Sequence, residues 1–61
     1  MNPLFKKGDK VSLPYNETGT VTKVYPTVWW NTYEVKIRKS NGFNDENSVV
    51  DFFEKQIQLE Q

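Results

Sequence analysis

Apolar and polar side chains alternate in several short stretches of this 61-residue chain, and each such stretch predicts a strand with one buried face. In "DKVSL" Val11 and Leu13 share a face, and Pro14 ends the run. The following "YNETG" predicts a loop, with Gly19 free to take positive φ. "TVTKVY" forms the second strand; the interval of three between Val21 and Val24 breaks alternation and predicts a bulge or bend, with Pro26 as the stop. The clearest strand is "TYEVKIR", which places Tyr33, Val35 and Ile37 inside and Glu34, Lys36 and Arg38 outside. Asn41-Gly42 then predicts a type I′ hairpin turn into a fourth strand within residues 43–50. "DFFEK" fits one 3-10 turn, with Phe52 or Phe53 plugging one end of the core. Ile57 and Leu59 close the pattern as a fifth strand.

Composition narrows the fold further. At this length one domain is expected, spanning residues 1–61 with its core at about 8–59. The chain has no cysteine and no histidine, which excludes disulfides and the usual zinc cages as sources of stability. Aromatic residues make up 15% of it and alanine is absent, so large rings must fill a small core, and a β structure is favoured over a helical bundle.

The order of these elements resembles the SH3-like barrel in its KOW/Tudor-type bacterial form. The resemblance is carried by "GDKV" at 8–11, "GTV" at 19–21, "YEVKI" at 33–37 and the closing "DFFEKQIQL". It implies an all-β fold: a small five-stranded antiparallel barrel with one short 3-10 turn before the last strand. It also implies that the last strand pairs with the first, and that RNA, polymerase or ribosomal proteins are frequent partners.

Enzymatic chemistry finds little support. The chain is similar to plasmid-borne type II dihydrofolate reductases in length, in its "GD-basic-V" opening and in a Tyr-x-Val third strand. That family lines a tetrameric pore with Val-Gln-Ile-Tyr, whereas the best-matching stretch here, Ser48–Phe52, lacks both the glutamine and the tyrosine. Without histidine or cysteine, acid–base work would fall to carboxylates or lysine. Asp45 and Glu46 are adjacent and would diverge on a strand, and Asp51 and Glu54 fit the solvated end of a helical turn. Gly8, Gly19 and Gly42 are isolated and form no phosphate loop. A signalling SH3 motif is missing from "VSLPYNETG", which argues against recognition of proline-rich peptides. The expectation is a non-enzymatic protein with no cofactor and no metal.

Two surfaces remain as binding candidates. Trp29 and Trp30 are neighbours, so in extended chain their indoles leave on opposite sides and a narrow core takes one at most. Counting back from Tyr33 favours Trp29 as the buried one, but it also buries Asn31, so regular structure is expected to break near Asn31. Either one indole caps the core and the other lies on a loop, or a loop aromatic joins Tyr25, Val28 and Tyr15 in a contact surface for a protein partner. The second candidate is a basic face of Lys23, Lys36, Arg38 and Lys39, suited to single-stranded nucleic acid. Eight basic and eight acidic residues cancel, however, and Glu34 interrupts that face. Residues 1–39 hold seven Lys/Arg against three Asp/Glu, and residues 40–61 hold one against five, which reads as internal balance or as two patches. Protein interaction is therefore favoured over nucleic-acid binding. No segment approaches a membrane span and no targeting signal is evident, so a cytoplasmic monomer or weak homo-oligomer is expected. The Lys/Asn-rich usage is compatible with a phage or mobile-element source.

Overall fold

A computed structural model describes residues 2–60. Five strands, β1 (Lys10–Leu13), β2 (Glu17–Pro26), β3 (Asn31–Lys39), β4 (Val49–Phe53) and β5 (Gln58–Leu59), form one antiparallel sheet in the order β4-β3-β2-β1-β5. Two 3-10 turns, Pro14–Asn16 and Glu54–Gln56, join β1 to β2 and β4 to β5. The last strand pairs with the first, Val11 opposite Leu59 and Ser12 opposite Gln58. The expected barrel does not close, because β4 and β5 are the two outer strands and no ladder joins them. Their link is a 3-10 turn followed by Ile57, which drops into the core. Among the described residues no helix is long and apolar enough to cross a membrane.

The core forms on one face of the sheet from the predicted alternation. Val11, Leu13, Val21, Tyr33, Val35, Ile37, Phe52 and Ile57 are buried together, with Val24 and Val50 packed against them. Phe5 belongs to the core as well, ahead of the expected boundary at residue 8, and meets Tyr33 edge-on at 5.2 Å. The bulge in β2 lies where the spacing of Val21 and Val24 placed it, as a register shift between Val21 and Lys23. Leu59, expected to alternate inward with Ile57, is exposed.

Three local expectations are corrected. Gly19 is not a loop residue at positive φ; it lies inside β2 opposite Ile37. Its role is close approach, since a Cβ there would meet the Val35 side chain and come within 2.7 Å of the Lys36 carbonyl oxygen. "DFF" is not helical either: Asp51, Phe52 and Phe53 complete β4, and the 3-10 turn begins only at Glu54. Phe52 is the ring that enters the core, while Phe53 points to solvent.

The third correction concerns Asn41-Gly42, which forms no two-residue hairpin turn. Strands β3 and β4 are joined by the nine residues between Lys39 and Val49, and of the pair only Gly42 has positive φ. A buried carboxylate organises this loop. Glu17, the first residue of β2, is 0% exposed. Its Oε2 accepts the backbone N–H groups of Asn41 (2.8 Å), Phe43 (2.9 Å) and Asn44 (3.1 Å), and its Oε1 accepts the Asn44 side-chain amide at 2.8 Å. The Ser40 hydroxyl lies 3.4 Å from the same carboxylate. These donors, the Asn41 N–H foremost, outweigh burial and hold the Glu17 pKa at about 2. On the outside of the loop Tyr15 stacks on Phe43 at 3.6 Å, and the Asn41 side chain donates to the Tyr15 carbonyl at 2.9 Å. These contacts hold Tyr15 and Asn16 at φ 64° and 63°, a conformation that non-glycine residues seldom adopt.

Candidate functional site

A cluster of exposed aromatic side chains is built at the opposite end of β3. There Thr27 closes the connection between β2 and β3 on itself: its backbone N–H donates to the Trp30 carbonyl at 3.0 Å, and its hydroxyl accepts the Trp30 N–H at 2.9 Å. The same hydroxyl also donates to the Trp30 carbonyl. This tight turn throws Val28 and Trp29 outward at its tip, so alternation does not carry from β3 into the tryptophans. Trp29 is 75% exposed and Trp30 51%, so neither indole enters the core, and the expectation that one of them, Trp29 by preference, caps it is corrected.

Trp30 packs edge-to-face on Phe53 of β4, with centroids 6.5 Å apart. Trp29, Trp30 and Phe53, with Asn31 and the turn Glu54–Gln56, line a groove of about 430 Å³. Tyr25 lies on the same outer surface, in a cross-strand row that runs Tyr25–Thr32–Phe53. The structure thus brings Tyr25, Val28, Trp29 and Trp30 to one end of the molecule. Tyr15 belongs instead with Phe43, at the far end of β3.

Beneath the groove sits a polar node. Asn31 is 1% exposed, as the inward count from Tyr33 required. Its amide donates to Glu54 Oε2 at 3.0 Å and lies 3.5 Å from the Asn2 carbonyl, while its Oδ1 has no hydrogen-bond partner among the described residues. Glu54 Oε2 also accepts the Tyr33 hydroxyl and, at 3.2 Å, the Leu4 N–H. The Tyr33 hydrogen bond leads the groups that lower the Glu54 pKa against the opposing effect of burial. Burial, then the neighbouring Glu54, raises that of Tyr33. The node ties the start of β3, the N-terminal segment and the 3-10 turn together beneath the groove.

The basic candidates are more dispersed. Lys36 and Arg38 project from the outer face of β3, Lys23 lies at the bulge opposite Glu34, and Lys39 ends the strand opposite Thr18. Arg38 is engaged in an ion pair with Glu60.

Phe53 and Glu54 are the members of the site that the sequence did not point to. Reading "DFFEK" as one turn hid the strand that carries Phe53 outward and leaves Glu54 beneath the groove. The available signal was parity: with Phe52 inward, its strand neighbour must face out. No known protein-family model matches this chain, and no curated protein matches it either.

Proposed function

We propose that this protein is a small non-enzymatic binding module that captures a protein partner through the aromatic groove at the β2–β3 turn. The observation that carries this reading is the joint exposure of Trp29, Trp30 and Phe53 around one groove, with a polar node of Asn31 and Glu54 beneath it. Trp and Tyr anchors bring much apolar area into a contact with little loss of side-chain entropy. Exposing two indoles in a chain with so few core residues has a cost in solubility that a partner-free role does not explain. The strand order and the 3-10 turn before β5 support placing the domain with SH3-like barrels of the KOW/Tudor type, working in the cytoplasm. The basic residues make a weaker surface, since Arg38 is paired and Lys23 faces Glu34.

The test is capture from the source organism's lysate, with and without nuclease, by the wild type and by a Trp29→Ala, Trp30→Ala double variant. Capture should survive nuclease and fall more than about tenfold in the double variant, as loss of hot-spot aromatics does. Capture that nuclease abolishes, or that the double change leaves intact, overturns the reading. In the first case Lys36→Glu with Arg38→Glu identifies the basic face as the binding surface.

A further inference from the structure

The outer edge of β4 runs directly into the tryptophan groove, and its pattern specifies what it can pair with. Hydrogen-bond parity along the strand follows from one contact: the Ile37 N–H donates to the Ser48 carbonyl at 2.8 Å. In an antiparallel ladder the residues whose backbone groups face the neighbour alternate, so Val50 and Phe52 turn theirs to β3. The N–H and C=O groups of Val49 and Asp51 therefore point away from the sheet, and none of them has another partner among the described residues. The Phe53 N–H points the same way but is capped by the Gln56 side chain at 2.8 Å, which stops the open edge at the groove. At the opposite side of the sheet β5 has only two residues and offers no comparable template.

Side chains on the outer face form rows across the strands, and two of these rows end at β4 in a way that defines the next position. One runs Lys23–Glu34–Asp51, a cation followed by two carboxylates set directly opposite each other. No ion pair relieves Asp51 among the described residues. Like charges opposite each other are unfavourable, and a cation beyond Asp51 would relieve them. The other row runs Tyr25–Thr32–Phe53 and ends beside Trp30, where a bulky apolar side chain fits. Val49, exposed at the start of β4, favours a third, apolar neighbour.

We propose that β4 accepts an extended peptide as a sixth, antiparallel strand, carrying a lysine or arginine opposite Asp51 and bulky apolar residues opposite Phe53 and Val49. This rests on the reading of the tryptophan groove as a protein-binding surface and names the partner's chemistry: apolar, any, basic, any, apolar, in the order N to C. A second copy of this chain does not meet the requirement. Pairing β4 with itself about a two-fold axis sets Val49 against Phe53 but places Asp51 against Asp51.

The probe is a capped heptapeptide, Thr-Leu-Thr-Lys-Thr-Val-Thr, titrated into labelled protein by NMR beside a copy with glutamate replacing lysine. The expected result is a shift and slowed exchange of the Val49 and Asp51 amides, with the lysine peptide roughly 2–5-fold tighter than the glutamate one. In Asp51→Lys, checked for an unchanged melting curve, that preference should reverse; the peptide swap on the wild type stands as a test on its own should the variant not fold. Shifts confined to the Trp29 and Trp30 indoles would overturn the edge proposal and leave the groove reading standing. Equal affinity for both peptides, or binding of neither, overturns it too, and lysate capture through the tryptophans decides the groove separately. Dimerisation of the wild type that Asp51→Lys abolishes would show that the occupant is a second copy and overturn the peptide assignment.

Discussion

Gly19 and the tryptophan pair show how far a residue's role follows from local pattern. Gly19 looks like a loop glycine when read beside Asn16 and Thr18, yet its neighbours in space are the Val35 side chain and the Lys36 carbonyl, both supplied by another strand. Nothing within "NETGT" encodes that approach. Gly19→Ala should cost about 1–3 kcal/mol, the range for overpacking, because the nearest obstacle includes backbone that has nowhere to move. An unchanged urea midpoint in this variant would refute the close-approach role. The inward count reaches Asn31 because β3 is regular up to that residue, and its burial, weighed as a cost, is met in part by the hydrogen bond to Glu54. The same count misplaced Trp29 because the Thr27 turn intervenes, and a turn closed by one hydroxyl has no periodic signature. Trp29→Ala should change stability by less than about 0.5 kcal/mol, as exposed positions do. Iodide should quench both indoles in single-Trp variants, Trp29 more strongly; protection of Trp29 equal to that of a buried ring would refute its exposure.

At the scale of elements, strands that carry their own alternation were legible and connections fixed by distant partners were not. β1, β3 and the bulge in β2 follow from spacing alone. The β3–β4 loop does not: Asn41-Gly42 has the local chemistry of a tight turn, but Glu17, twenty-four residues earlier, collects the Asn41, Phe43 and Asn44 donors and opens the turn into a nine-residue loop. Glu17 itself was readable in part, because it shares the inward parity of Gly19 and Val21. A buried carboxylate is costly unless fully paired, which makes its partners the informative feature. Gly42 has φ +101° with open space around it, so Gly42→Val should destabilise through backbone strain alone, by about 1–2 kcal/mol. Glu17→Ala, which orphans several donors at once, should lower the melting temperature by more, on the order of 10 °C or beyond, and expose the Tyr15–Phe43 stack to exchange. Equal effects of the two changes would mean that the turn, and not the carboxylate, orders the loop.

Across the whole molecule the two carboxylate nodes act as the staples that a chain without cysteine otherwise lacks. Glu17 fastens the β3–β4 loop at the Lys39 end of β3, and Glu54 fastens the N-terminal segment and the 3-10 turn at the Asn31 end. The two ends are about 26 Å apart at the usual rise of a strand, in a molecule 33 Å long. Both carboxyls titrate below their ordinary range in the folded state, Glu17 at about 2. Each therefore contributes stability that is present above the unfolded value near 4.5 and is lost as pH falls through the folded one. Tyr33 works in the opposite sense: its raised pKa contributes below about 10 and is lost in stronger base. The urea midpoint should thus be level from about pH 5 to 8 and fall steeply between about pH 4.5 and 2. Glu17→Gln and Glu54→Gln should each flatten part of that acid slope, and their effects should add, because sites this far apart share no partner. A midpoint that stays level down to pH 2.5, or a double variant no flatter than either single one, would show that the ends of the sheet are held by packing alone.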